Sequence, residues 1–106
     1  MLEPDDEYFL KRIIEKPSEE YMLSLSGEVF ISMNCWRFSR SIFEACRSIK
    51  PSVRREYEIA SAVEYAMNNL GEKFRMIPVR LGVLDMTGRL DIKSVDSVLR
   101  GKEVNL

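Results

Sequence analysis

The first residues of this chain that could do chemistry are Glu15 and Lys16, a charged pair that Pro17 follows directly. The preceding residues 8–14 (YFLKRII) are aromatic and β-branched, which predicts a strand ending near the pair. Pro17 favours extended backbone at Lys16, so the two charged side chains are expected on opposite sides of the strand end. A carboxylate there can accept hydrogen bonds from sugar hydroxyls, and an ammonium can attract a phosphate. A solvated strand end is the alternative interpretation of the same three residues.

Asp85 and Asn34 are two further polar residues that stand out from apolar surroundings. Asp85 precedes Thr87-Gly88, a turn signal, which predicts a carboxylate near a sheet edge, where α/β folds bind ligands. It could supply oxygens to a magnesium ion, or it could make an Asx-type turn to Thr87 or Gly88. Asn34 interrupts an apolar segment, where a buried amide needs partners from backbone, water or ligand. Asparagine also tolerates a positive φ.

Composition limits the chemistry that is available to the chain. It has 106 residues, enough for one small domain, and no histidine, which excludes Ser-His and Cys-His nucleophile systems and histidine-based zinc sites. The 16 basic and 17 acidic residues nearly cancel, so the total charge does not point to nucleic acid. Cys35 and Cys46 lack metal-binding spacing and are expected to stay thiols. Without a long apolar run or a signal-peptide pattern, a cytoplasmic protein with no membrane contact is predicted.

The hydrophobic pattern predicts an α/β fold, with a mixed sheet of about four strands covered by about three helices. Residues 1–7 are acidic and contain Pro4, which predicts a flexible lead-in, and residues 8–106 are expected to form a single α/β domain. Strands are predicted at 8–14, 28–38 and 73–79, with a short apolar segment at 81–86. Helical segments are predicted at 18–26, from Ser39 or Ser41 to Ile49, at 56–70 before Gly71, and from an Asp91 cap to Gly101. Residues expected to face inward from the last three helices are Ile42, Phe43, Ala45, Cys46, Ile49, Ile59, Ala62, Val63, Ala66, Met67, Leu70, Ile92, Val95, Val98 and Leu99.

Four short segments together resemble one protein family. They are, in order, residues 14–17 (IEKP), 32–38 (SMNCWRF), 56–59 (EYEI) and 83–88 (VLDMTG). They look like the C-terminal part of the catalytic domain of sugar-phosphate nucleotidylyltransferases, which join a nucleoside triphosphate to a sugar 1-phosphate and release pyrophosphate. The resemblance covers about residues 8–100 and implies a partial nucleotide-diphospho-sugar transferase (Rossmann-like) fold. Asn34 and Arg55 stand where glycine is usual in the family, although one branch also has Ser-Met-Asn.

The resemblance also implies roles for individual residues. Glu15 would bind sugar hydroxyls, Lys16 would bind the sugar phosphate, and Asn34 would lie beside the sugar. Asp85 would hold the magnesium ion that bridges the phosphates in the complete enzyme. Such a reaction depends on alignment and charge neutralisation more than on a protein nucleophile. The family's nucleotide loop, activating residues and other metal aspartate lie upstream of the matching segments, so the chain is expected to be a fragment that is inactive alone.

Two other functions stay open on the sequence. One is a non-catalytic regulatory or oligomerisation module that retains the fold and forms a homo-oligomer through an exposed sheet edge. The other is a phosphate or nucleic-acid binder, because residues 37–55 contain one acidic residue, Glu44, and six basic residues. Those six are Arg37, Arg40, Arg47, Lys50, Arg54 and Arg55. No aromatic-interleaved RNA motif accompanies them, which makes nucleic acid the less favoured partner.

Overall fold

The structure is a computed structural model that describes residues 1–82 and 84–103. Val83, which belongs to the fourth segment of the family resemblance, and residues 104–106 of the expected domain lie outside the described residues. The elements, in order, are β1 (Leu2–Pro4), β2 (Leu10–Ile13), α1 (Glu19–Ser24), α2 (Ser41–Ser48), α3 (Ile59–Asn69), a 3₁₀ turn (Arg89–Asp91) and α4 (Ile92–Leu99).

The sheet of the described chain has two antiparallel strands, β1 and β2. Leu2 pairs with Ile13 and Glu3 pairs with Arg12, and the register becomes irregular after Glu3. Arg12 Nε donates to Glu3 Oε2 at 2.6 Å, so an ion pair supports the ladder. The segment 1–7, expected as a lead-in, therefore contributes the partner strand of β2.

The predicted four-stranded mixed sheet is wrong, and so is the partial Rossmann-like fold, because the described residues form two antiparallel strands and four α-helices. Segment 28–38 contributes one bridge, between Phe30 and Leu2, and segment 73–79 contributes one between Arg75 and Phe9. The first segment stops being extended where Asn34 takes a φ of 53°. Pro78 removes a donor from the second. The described residues of 81–86 form no strand.

The helices occur where the sequence predicts them, with shorter bounds. The Ser18 hydroxyl accepts a hydrogen bond from Tyr21 N at 3.1 Å and so caps the start of α1. Helix α3 ends at Asn69, and Gly71 beyond it has a φ of 67°, the left-handed conformation that glycine favours after a helix. Asp91, expected as the cap of α4, makes no side-chain cap bond to that helix.

The core lies between α2 and α3. Its buried cluster consists of Ile42 and Ala45 from α2 with Ala62 and Ala66 from α3. The alanines let the two helices approach closely, but each buries little apolar area. Partly buried residues packed against this cluster are Phe38, Ile49, Tyr65, Leu70 and Phe74.

Several residues that were expected to face inward are exposed. Phe43 and Cys46 of α2 are exposed, with 64% of Phe43 accessible. No residue of α4 is buried, and among the helices and strands of the described chain it contacts only the 3₁₀ turn before it. The prediction of an inward face is therefore wrong for α4, because an amphipathic pattern shows that a helix can bury one face and does not supply the surface that covers it. No helix in the described ranges is both long enough and apolar enough to cross a membrane.

Candidate functional site

A small cavity of about 170 Å³ lies between the end of β2, the residues after Phe30 and the start of α3. Glu15, Lys16, Asn34 and Ser32 form the polar part of its lining. The other lining residues are Met1, Leu2, Ile13, Ile14, Trp36, Ile59 and Ala60. A few polar groups set in an apolar wall are the usual composition of a small-molecule site.

The end of β2 positions Glu15 and Lys16. Ile14 N donates to Met1 O at 2.8 Å, and the terminal ammonium of Met1 donates back to Ile14 O at 2.9 Å. This pair of hydrogen bonds fixes the backbone directly before the two charged residues, whose side chains are exposed. Lys16 has a φ of 43°. The prediction of extended backbone at this residue is therefore wrong.

Asn34 lies in a tight turn. Its backbone N–H donates to Ser32 Oγ at 3.1 Å, and its φ is 53°. The residue is exposed, so the prediction of a buried amide in a central strand is wrong. Its backbone has a positive φ, a conformation that asparagine tolerates. Ser32 Oγ also lies 3.5 Å from Asn34 Oδ1, at the limit of a hydrogen bond. Within the described chain the amide NH₂ donates no hydrogen bond, which leaves its two donors for a ligand or solvent.

Asp85 is exposed and is not among the described residues that line this cavity. The turn that follows it does not use its carboxylate, because Thr87 N and Gly88 N both donate to Asp91 Oδ2 at 3.1 Å. These hydrogen bonds, chiefly the one from Gly88, lower the pKa of Asp91. No group of three or more His, Cys, Asp or Glu side chains in the described ranges is arranged to hold a metal ion. A magnesium site on Asp85 in the complete enzyme stays a prediction from the family resemblance, since a carboxylate is a ligand type that magnesium prefers.

Sequence reasoning gave no role to Trp36, which is part of the cavity wall. Its indole ring stacks on Phe38 at a centroid distance of 6.1 Å and 9° between planes, and it meets the Phe74 ring edge to face at 6.1 Å and 88°. Indole Nε1 is buried and has no hydrogen-bond acceptor among the described residues. Trp36 is the single tryptophan, follows Asn34 by two residues and lies in the second segment of the family resemblance, and these were the sequence signals for it.

A second, acidic cavity of about 370 Å³ lies on β1 and the turn after it. It is lined by Pro4, Asp5, Asp6, Tyr8, Glu28 and Phe30. Asp5 Oδ1 accepts from Glu7 N and Phe9 N at 2.9 Å, and Glu28 is paired with Arg80. Two of its three carboxylates are therefore engaged by the chain itself.

The smaller cavity offers a definite set of interactions. The Lys16 ammonium can bind an anion, the Glu15 carboxylate can accept hydrogen bonds from hydroxyls, and Asn34 can donate through its amide. An apolar wall, including the indole ring of Trp36, completes the lining. The cavity is suited to a small, hydroxylated anion. No protein-family model, curated protein or solved structure matches this chain.

Proposed function

We propose that this chain is the sugar-phosphate-binding portion of a nucleotidylyltransferase and that the small cavity takes the sugar 1-phosphate. One observation carries the proposal: Glu15 and Lys16, at the end of β2, line the same cavity as Asn34, which lies in a separate turn. Residue type and the family resemblance single out the same three side chains. Their meeting is what a shared ligand requires.

Each side chain matches one part of a sugar 1-phosphate. The ammonium of Lys16 neutralises phosphate charge, and the carboxylate of Glu15 accepts hydrogen bonds from ring hydroxyls. In the transfer reaction a phosphate oxygen of the sugar attacks the α-phosphorus of the nucleotide, and the bond to pyrophosphate breaks. Both reactants are anions, so a cation at the sugar phosphate reduces their repulsion and holds the attacking oxygen in place.

Backbone conformation gives a second line of support. The resemblance places glycine at the positions of Asn34 and Arg55, and here these residues have φ of 53° and 60°. Glycine adopts positive φ more easily than any other residue. The backbone at both positions is thus of the kind that glycine would accommodate. We assign no step to magnesium, since Asp85 lies apart from the described lining of the cavity.

Direct binding tests the proposal. Isothermal titration calorimetry of the chain with a hexose 1-phosphate should show binding, and Lys16→Ala should weaken it at least about tenfold, because a hydrogen bond to a charged group is lost. Lys50→Ala is the matched control, since Lys50 is exposed and lies outside the described lining. No binding of hexose 1-phosphate, or equal affinity in the two lysine variants, would contradict the proposal.

The proposal includes a cytoplasmic location. Cys35 and Cys46 are free and exposed, a state that a reducing compartment maintains.

The rival function, a non-catalytic oligomerisation module, is favoured by the uncovered apolar residues of α4, Ile92, Val98 and Leu99. Sedimentation equilibrium separates the two ideas, since a module of this kind must associate at micromolar concentration whether or not hexose 1-phosphate is present.

A further inference from the structure

The single tryptophan of the chain carries an inference beyond the three residues already discussed. Trp36 lines the small cavity together with Glu15, Lys16 and Asn34. Its Nε1–H is the buried side-chain donor that finds no acceptor in the described part of the chain. Buried polar groups are nearly always hydrogen-bonded, and an unpaired one carries a cost in free energy. An unpaired donor in the lining of this cavity therefore needs an explanation.

We propose that Trp36 is a ligand-contacting residue of this cavity, an inference that rests on the proposed function. Its indole ring forms the wall against which the sugar ring packs, and its Nε1–H donates a hydrogen bond to an oxygen of the bound sugar phosphate. In the free chain the ring stacks on Phe38 and meets the Phe74 ring edge to face.

Binding must also move the indole ring. Nε1 has no exposed surface in the free chain, so a ligand oxygen reaches it only after the ring turns against Phe38 and Phe74. The hydrogen bond gained in the turned position is the differential interaction that such a movement needs. The environment of the indole group should consequently change when hexose 1-phosphate binds.

The test exchanges the N–H group alone. Because Trp36 is the only tryptophan, expression in a tryptophan auxotroph supplied with benzothienylalanine replaces that N–H by sulfur at one position and nearly preserves the ring shape. We expect the affinity for hexose 1-phosphate to fall about 5- to 10-fold, as for the loss of one hydrogen bond. Trp36→Phe should weaken binding at least as much. Phe43→Leu, an exposed aromatic outside the described lining, should not change it.

A spectroscopic readout separates ligand contact from a merely structural role. In protein labelled with ¹⁵N at the indole nitrogen, the single indole resonance should shift on titration with hexose 1-phosphate. The control is the Lys16→Ala variant titrated with unphosphorylated hexose, in which the resonance should not shift. If hexose 1-phosphate binds in a Lys16-dependent manner but the sulfur analogue keeps full affinity and the resonance stays fixed, the inference about Trp36 is overturned and the proposed function stands. If hexose 1-phosphate does not bind at all, both are overturned.

Discussion

At the scale of single residues, the unusual feature is left-handed backbone at two residues of the cavity. Lys16 and Asn34 have φ of 43° and 53°. For a residue with a Cβ atom this region costs roughly 1–2 kcal/mol, and asparagine adopts it more readily than most. Such strain persists only where the surrounding structure imposes it. The ammonium and the amide are therefore placed by an imposed backbone as well as by side-chain rotamers.

Two substitutions of Asn34 separate its backbone role from its amide. We expect Asn34→Ala to lower the free energy of unfolding by about 1 kcal/mol, because alanine is strained at positive φ. Asn34→Gly should keep wild-type stability or exceed it, since glycine accepts this φ freely. Both variants lack the amide, so both should bind hexose 1-phosphate several-fold more weakly. Urea unfolding and calorimetric titration measure the two effects.

Either half of this prediction can fail separately. Full ligand affinity in Asn34→Gly would show that the amide does not contact the ligand. Equal stability of the alanine and glycine variants would show that the backbone at residue 34 is not strained.

At the scale of elements, one carboxylate joins the start of α2 to the segment after α3. Glu72 Oε1 accepts hydrogen bonds from Ser41 Oγ at 2.5 Å and from Ser39 Oγ at 3.0 Å. These bonds, first the one from Ser41, lower the pKa of Glu72. The negative charge also lies at the N-terminal end of α2, where the helix dipole favours it. Glu72 thus connects the two helices that form the core.

The lowered pKa of Glu72 predicts a pH dependence with a definite sign. The folded chain holds the carboxylate ionised below the ordinary glutamate value of 4.5, so its contribution to stability is complete above that value. The contribution is lost as pH falls through the folded-state pKa, because the unfolded chain then binds the proton more readily. Glu72→Gln should reduce stability at neutral pH and make the acid-induced loss smaller.

Urea unfolding at neutral pH and at about pH 4 measures this difference. Glu103→Gln, an exposed glutamate far along the chain, is the matched control. The pKa values of Glu3 and Asp91 are also lowered, by the hydrogen bonds from Arg12 and from Gly88 respectively, so part of the acid sensitivity should remain in the Glu72 variant. An acid-induced loss identical to that of the unmodified chain would contradict the role of Glu72.

At the scale of the whole molecule, the chain is less compact than its length allows. Its accessible surface is 9412 Å², whereas a compact monomer of 12.3 kDa exposes about 6,100 Å². Its radius of gyration is 16.3 Å, against about 13 Å for a compact domain of this length. Three of the buried core residues are alanine. The hydrophobic stabilisation therefore comes from few side chains, and each of them matters more.

Val63 tests how much this small core contributes. It is the largest fully buried side chain in the described residues, so Val63→Ala should lower the free energy of unfolding by about 2 kcal/mol through lost transfer energy and a new void. Val53 is fully exposed, and Val53→Ala should change stability by less than about 0.5 kcal/mol. Similar effects of the two substitutions in urea unfolding would show that the burial of Val63 does not stabilise the chain.

The helices and the types of the candidate site residues were within reach of the sequence alone. A helix closes its hydrogen bonds within one segment, so local periodicity, Ser18 before α1 and Gly71 after α3 were enough to locate α1, α2 and α3. Charge and hydrogen-bonding capacity belong to the individual residue. The chemistry of Glu15, Lys16 and Asn34 could therefore be recognised without knowing the fold.

Only the tertiary structure decided which extended segments would pair and which side chains would meet. A strand needs a partner from elsewhere in the chain, so residues 8–14 gained theirs from the acidic segment 1–7, while segments 28–38 and 73–79 contributed single bridges. The turn at Asn34 brought that residue to the cavity beside Lys16. The unpaired N–H of Trp36 depends on burial by distant residues, a property that no local pattern encodes.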